Sequence, residues 1–367
     1  MASARDVCSL PLPRSLLESL AAKGFRLVSD LAGLRPLELA DELGISAQAA
    51  AQILAVAEPS RRPIAGVSAR ELFKDPSVGE RLILLYTTFS NQQSSDRNRG
   101  HDHTERHIVM FCKAMDGLLG GGVPTGQLTE FCGPPGVGKT QLGMQLALDV
   151  QIPELFRGRG GTAIYLDTEG SFMPERAANM AGALERHIKG IARAAGGDEA
   201  AQAARASAAA QFSQEGLLRG IQVFRAHDLT EQMAIIYHFP AFVQAHPSVK
   251  LIVIDSVAFH FRQDMNTATR GRVLSGLAQS LNELAFRHGL AVVVMNHVTT
   301  RVDHDSRTSQ LVPALGEHWS HCVTNRLFLR WEGGDRVATL TKSPTHPPGQ
   351  AVFLVTADGV RGPSSSS

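Results

Sequence analysis

Residues 130–142 read EFCGPPGVGKTQL, a run of small and rigid residues packed around a single lysine. A stretch so poor in side chains brings its backbone close to something. It fits G-x-x-x-x-G-K-[ST] in full: Gly133, Pro134, Pro135, Gly136, Val137, Gly138, Lys139 and Thr140, with Gln141 next. Upstream, QLTEFCG is a short apolar run that predicts a strand; downstream, TQLGMQLALDV predicts a helix, and this loop needs that context. Its glycines let backbone N–H groups curl round the β- and γ-phosphates of a nucleotide at the positive end of the helix. Lys139 is placed to neutralise phosphate charge and the Thr140 hydroxyl to ligate Mg²⁺. The expected cofactors are ATP and Mg²⁺.

Working outward, AIYLDTEG, LIVIDS and LAVVVMN are further short apolar runs that each lead into a polar loop. Helical stretches separate them, among them GRVLSGLAQSLNELAFRHG. That rhythm predicts an α/β fold with a mostly parallel sheet covered by helices. Asp255 closes the LIVIDS strand, where this class of site needs a carboxylate for the magnesium shell, through water. YLDTEGS offers two carboxylates, Asp167 and Glu169, as the group that faces the γ-phosphate and handles the attacking water. The alanine-rich stretch ARAAGGDEAAQAARASAAAQF reads as an exposed helix and loop insertion. NRLFLRW, RVATLTKSP and AVFLVTADG read as antiparallel strands, and GPSSSS as a disordered tail.

The predicted organisation is a small all-α domain over 1–58, a linker or insertion over 59–106, the α/β domain over 107–362, and a tail over 363–367. In the first, Leu16, Leu17 and Leu20 share a helix face, Gly24 and Gly44 make turns, Ser46 is an N-cap and Pro59 a stop. Short helices joined by glycine turns suit either a phosphate-contacting hairpin or a protein-binding bundle. In the junction, ERLILLYTTF is out of place, a docking strand or an insertion without a fold of its own. His101, His103 and His107 read as a solvated loop rather than a metal site. Cys8, Cys112, Cys132 and Cys322 lack metal-ligand spacing and suit unpaired thiols in a reducing compartment. No apolar run approaches the roughly 20 residues a membrane span needs, and the N-terminus has no signal-peptide layout. With a formal net charge of +1, any grip on a polyanion must come from a local patch.

GPPGVGKTQL, YLDTEGSFMPER, LIVIDS and VVVMNHV, in that order, resemble the RecA-like strand-exchange recombinases of eukaryotes. The resemblance covers nearly all of 107–360, and 13–57 is similar to that family's helix-hairpin-helix domain. TQLGMQLALDVQIPE, LVPALGEHWSHCVTNRL and LTKSP resemble its C-type paralogue branch, with Leu315-Gly316 where the core recombinase has two glycines. The resemblance implies that Glu169 is the catalytic glutamate, acting with Lys139, that Arg176 lies over the adenine, and that Asn296 senses the γ-phosphate. It implies a first DNA loop at RQDMNTATRGR, with Arg262, Arg270 and Arg272. A second lies at TTRVDHDSRTSQLVPALGEHW, with Arg301 and Arg307; Asp303 and Asp305 there weaken the case for DNA.

The activity so implied is a weak DNA-dependent ATPase that binds single-stranded DNA in the nucleus, or also in the cytoplasm. Its implied partners are the main strand-exchange recombinase and the sister B-type, D-type and X-ray-repair cross-complementing paralogues. Its implied role is homologous-recombination repair of double-strand breaks and crossover resolution. The alternative is a scaffold subunit that binds ATP with negligible turnover. Two positions depart from the family pattern. His297 stands where a glutamine relays the γ-phosphate state to the second loop. Lys342 stands where an acidic residue overlies a neighbour's ATP, which points to a heteromeric neighbour.

Overall fold

The strand VKLIVID sends Leu251 and Val253 into one buried cluster and Ile252 and Ile254 into another. Alternation with both faces apolar is what a strand covered by helices on each side requires. Its neighbours do the same, with Tyr165 opposed to Ile164 and Leu166, and Val293 opposed to Val292 and Val294. The computed structural model describes residues 106–363 except 197, 263–266 and 303–308, together with 67–70 and shorter stretches between residues 6 and 57. ERLILLYTTF, His101, His103, Cys8, Ser46, Arg307 and the last four residues lie outside the described residues.

The strands are β1 (Val67–Ser68), β2 (His107–Ile108), β3 (Val123–Pro124), β4 (Leu128–Cys132) and β5 (Thr162–Asp167). Then come β6 (Ile221–Arg225), β7 (Val249–Asp255), β8 (Ala291–Asn296), β9 (Val298–Val302) and β10 (Ser309–Pro313). Last are β11 (Asn325–Glu332), β12 (Asp335–Lys342), β13 (Gly349–Thr356) and β14 (Gly359–Arg361). Ten of them form one sheet in the order β1-β6-β5-β7-β8-β4-β11-β12-β13-β14. From β6 to β11 the neighbours are parallel, so the loops after β4, β5, β7 and β8 leave from one edge. That edge is where sheets of this kind place ligands.

Helices Lys139–Asp149 and Pro174–Ala194 cover one face. Leu229–Ala245, Thr267–His288 and Gly316–Cys322 cover the other. The alanine-rich stretch does form a helix, Glu199–Gln211, started by Asp198, whose carboxylate accepts from Ala201 N at 2.7 Å. In the N-terminal region, helices Arg14–Ala22 and Pro36–Leu43 follow the predicted pattern, with Gly24 and Gly44 at positive φ. Leu20, Leu31, Leu39 and Ile53 form a third hydrophobic cluster of their own.

Three features differ from the sequence reading. β6 was not expected, because IQVFR is shorter in apolar residues than its neighbours. NRLFLRW is antiparallel to β12 on one side and parallel to β4 on the other, so it belongs to both halves of the sheet. Within the junction, the piece that docks is 67–70: β1 pairs antiparallel with β6, Ala69 is fully buried, and Arg70 forms an ion pair with Glu215. It covers what would otherwise be the open edge of the sheet.

Asp149, at the end of the phosphate-loop helix, is a buried carboxylic acid. Oδ1 accepts from Gln145 Nε2 at 2.7 Å, while Oδ2 has no partner among the described residues. Burial pushes its carboxyl well above the usual range, against the pull of Gln145 and Arg361. An acid raised in the folded state is protonated there and ionised when unfolded, so stability falls as pH rises above the unfolded pKa. Asp149→Asn removes this penalty and is expected to add about 1 kcal/mol at neutral pH, a few degrees in Tm. Thermal melts across pH check this: the gain shrinks toward acid pH.

Candidate functional site

The stretch Gly133–Gly138 turns out of β4 into the helix Lys139–Asp149. Two backbone positions need glycine. Gly136 and Gly138 have φ of +77° and +113°, left-handed values that other residues rarely adopt. A Cβ on Gly133 would lie 2.5 Å from the Leu329 carbonyl of β11, so the loop hugs the sheet there. The N-cap is Gly138, and no side chain caps the helix, which leaves its first N–H groups for a ligand. Lys139 is buried, and Nζ donates to the carbonyls of Gly133 at 2.8 Å and Pro134 at 3.0 Å. Burial lowers its pKa, while Asp255 and Glu169 oppose that shift. An uncapped helix start, a glycine cradle and a lysine folded into it fit a nucleotide's phosphates.

Beside the loop, Asp255 at the end of β7 is buried and accepts from Thr140 Oγ1 at 2.7 Å and from Tyr165 Oη at 2.8 Å. Ser171 Oγ lies 3.4 Å from both Asp255 Oδ2 and Thr140 Oγ1. Burial raises the Asp255 pKa, and the bonds from Thr140 and Tyr165 pull it back. A hydroxyl and a carboxylate in contact at the mouth of a phosphate loop are the donor set for Mg²⁺, one as direct ligand and one through water.

The two carboxylates of YLDTEGS part company. Asp167 accepts from the backbone N–H groups of Glu169, Gly170, Ser171 and Phe172 at 2.8–3.2 Å and from Arg225 Nη1 at 2.8 Å. It braces the loop and is not free to face a phosphate. Glu169 is carried out on that braced loop, and its Oε1 meets His297 Nε2 at 2.5 Å. Burial would raise its pKa, but the His297 hydrogen bond and the charges of His297 and Lys139 outweigh that and hold it below the usual value. His297 therefore lies against the expected catalytic carboxylate.

Asn296, the expected γ-phosphate sensor, sits at the end of β8 beside Cys132 and is fully buried. Its Nδ2 donates to Glu130 Oε1 at 2.7 Å and to the Ala314 carbonyl at 3.0 Å, and Oδ1 has no partner among the described residues. Glu130 also accepts from Trp319 Nε1 at 2.7 Å and from Arg326, which in turn donates to Ser320 Oγ at 2.5 Å. This buried polar group joins the phosphate-loop strand to the helix that follows the second loop. The sequence signal was a glutamate inside the otherwise apolar run LTEFC, and the sequence reading did not use it.

Arg176 Nε donates to Gln141 Oε1 at 2.6 Å, Nη2 to the Thr356 carbonyl at 2.6 Å, and Nη1 to the Ala357 carbonyl. With its edge engaged, the guanidinium has its flat face to offer a base. The expected DNA arginines are only partly on loops. Arg270 and Arg272 lie in the helix Thr267–His288, because the helix begins earlier than the loop assignment allowed. Arg262 ends the 3₁₀ turn His260–Arg262, with nothing described of its side chain. Arg301 is exposed on β9, which pairs with β10 as a hairpin, and lies 3.6 Å from Glu317. Lys342 also departs from expectation. Nζ donates to the carbonyls of Ser320, His321 and Val323 at 2.7–3.0 Å. All three ammonium protons are spent on the end of the helix Gly316–Cys322, so it neither bridges phosphates nor reaches a neighbour.

Among the described residues no His, Cys, Asp and Glu cluster forms a further metal site, and no helix is long and apolar enough to cross a membrane. The Rad51 family model matches residues 105–192 and 199–363. The chain is 40% identical over 360 residues to "DNA repair protein RAD51 homolog 3" of Cricetulus griseus, covering 97% of this chain and 92% of that protein. It is 37% identical over 256 residues to "DNA repair protein RAD51 homolog 3" of Dictyostelium discoideum, covering 70% of this chain and 65% of that protein. A phosphate loop, a buried hydroxyl–carboxylate pair and a braced glutamate on one edge of a RecA-like sheet agree with these matches, and the chain belongs to the Rad51 family as one of its paralogues.

Proposed function

We propose that the chain binds ATP with Mg²⁺, binds single-stranded DNA, and works with sister recombinase paralogues to assist the main strand-exchange recombinase in homologous-recombination repair. The observation that carries this is the convergence of Lys139, Thr140, Asp255 and Glu169 on one edge of the sheet. In this reading Gly133–Thr140 and Gln141 hold the phosphates, Arg176 faces the adenine, and Thr140 and Asp255 hold the metal. Lys139 neutralises charge and Glu169 orients the attacking water. Asn296 senses the terminal phosphate, and Arg262, Arg270, Arg272, Arg301 and Arg307 meet DNA phosphates. The B-type and D-type paralogues and the X-ray-repair cross-complementing paralogues are the heteromeric partners. Double-strand breaks and recombination crossovers are the substrates, and the nucleus is the place of work. The N-terminal helices form a separate domain before the ATPase core.

A second reading is favoured by two contacts. Glu169 is bonded to His297 and Lys139 to its own loop, an arrangement that suits a subunit holding ATP with negligible turnover. ATP turnover by the purified chain with its B-type partner, with and without single-stranded DNA, separates the two. The first reading expects stimulation by DNA, reduced and made less salt-sensitive in Arg301→Ala. Background turnover with tight ATP binding would establish the scaffold instead.

A further inference from the structure

The loop that enters β5 reads FRGRGG, residues 156–161, and it lies at the sheet edge opposite the phosphate loop. It is fixed rather than loose. Gly158 N donates to the Pro153 carbonyl at 3.1 Å, Gly160 N to that of Ile152 at 2.8 Å, and Gly161 N to that of Val150 at 3.0 Å. A Cβ on Gly158 would lie 2.0 Å from the Ile152 carbonyl, so the turn closes only on glycine. The side chains this loop sends outward are therefore Arg157 and Arg159, held on a pinned backbone.

Around it lies an open depression of about 310 Å³, lined by Arg106, His107, Glu154, Arg157, Gly158 and Arg159. Lys250, at the start of β7, runs its stem beneath Gly161 and feels the charges of Arg159 and Glu154. The one acid, Glu154, lies 3.3 Å from Arg106 Nη1. Four cations face a single carboxylate in a protein whose net charge is only +1. Nε and Nη1 of Arg159 are buried without a hydrogen-bond partner among the described residues. Burial and the neighbouring Arg106 both disfavour its charge. Arg157 adopts φ of +62°, a backbone that suits glycine, yet the position carries an arginine.

We propose that this depression, framed by Arg106, Arg157, Arg159 and Lys250, binds a phosphate group, at the opposite edge of the sheet from the nucleotide. Phosphate fits better than carboxylate. A planar carboxylate is satisfied by one guanidinium fork, as Glu154 shows with Arg106, whereas a phosphate's oxygens accept from several convergent donors. A rigid loop keeps the ordering cost of binding small. The phosphate comes either from a nucleic-acid backbone or from a free phosphate-bearing molecule, and the two sources are separable.

Arg157→Gly, which suits the left-handed backbone, is combined with Lys250→Met, which keeps the stem against Gly161. Both are made in the full chain and checked for an unchanged melt and unchanged binding of a fluorescent ATP analogue. Binding of a labelled DNA duplex is then followed against salt. A backbone site predicts a salt slope smaller by about 2 in the double variant, since each lost phosphate contact removes about 0.9, with affinity at low salt down about tenfold or more. Arg157→Gly alone, at an exposed position, lowers the slope by about 1 and covers the case in which the double variant misfolds. In the second arm, inorganic phosphate is titrated against thermal stability with the ATP analogue saturating. Stabilisation of the parent chain that is lost in the variants, with duplex binding unchanged, assigns the site to a free phosphate. If neither the slope nor the phosphate response changes, the site does not exist.

Discussion

Lys139→Ala is expected to weaken ATP binding by about 10²-fold while leaving the nucleotide-free protein folded. The ammonium is buried, and its bonds run to the Gly133 and Pro134 carbonyls of the loop it serves. A hydrogen bond to a charged group contributes about 1.5–3 kcal/mol, and the upper end of that range corresponds to about 10²-fold in affinity. The folded state loses little, because burial already disfavours the charge at Lys139 and its removal relieves that cost. Titration of a fluorescent ATP analogue beside a thermal melt separates the two effects. Affinity should collapse with the melt shifted by no more than a few degrees, and complementation of repair should be lost with it. Lys139→Arg keeps the charge but not the compact ammonium that fits between the two carbonyls, so it should recover binding poorly. Near-native affinity and full repair in Lys139→Ala would mean that nucleotide is not held by this loop.

The loop and its metal pair were legible because their chemistry is local. Glycines at the required spacing, a lysine, a hydroxyl and an aspartate closing an apolar strand announce themselves without tertiary knowledge, and the parallel sheet follows from the alternation of apolar runs and helices. Features made by contacts between distant segments were not legible. That Asp167 braces while Glu169 protrudes depends on four backbone N–H groups and on Arg225 from β6, a strand the sequence reading omitted. Lys342 looked like a group for a neighbour because its spacing from the helix end Ser320–Val323 is set by strand pairing, which sequence does not display. Arg270 and Arg272 were assigned to a loop because TATRGR carries no helix-start signal strong enough to mark Thr267. The group formed by Glu130, Asn296, Trp319 and Arg326 draws on four elements, and each residue alone reads as an ordinary polar or aromatic position.

Glu169→Gln is expected to lower DNA-stimulated ATP turnover by about 10²-fold or more, the scale of a positioned acid–base group, with ATP affinity nearly unchanged. The effect arises because Gln keeps the shape of Glu169 but loses the charge that draws the proton of the attacking water. His297 sets the conditions under which that charge is present. Burial is the largest influence on Glu169 and raises its pKa, and the contact with His297 Nε2 at 2.5 Å is the first of the influences that reverse it. A carboxylate held low is ionised above its depressed pKa, so turnover that depends on it is lost only as pH falls through that value. In His297→Ala the burial effect is opposed by less, the Glu169 pKa rises, and the acid limb of the pH–rate profile moves up by about one unit, equivalent to about 1.4 kcal/mol. His297→Gln restores an N–H donor without the possibility of a positive charge, so its limb should fall between the two. Near the alkaline end the order reverses if the histidine also restrains Glu169, because the freed carboxylate then reaches water more readily. A pH profile of His297→Ala that overlays the parent would show that the contact belongs to the nucleotide-free state alone and that another group sets the charge of Glu169 during turnover.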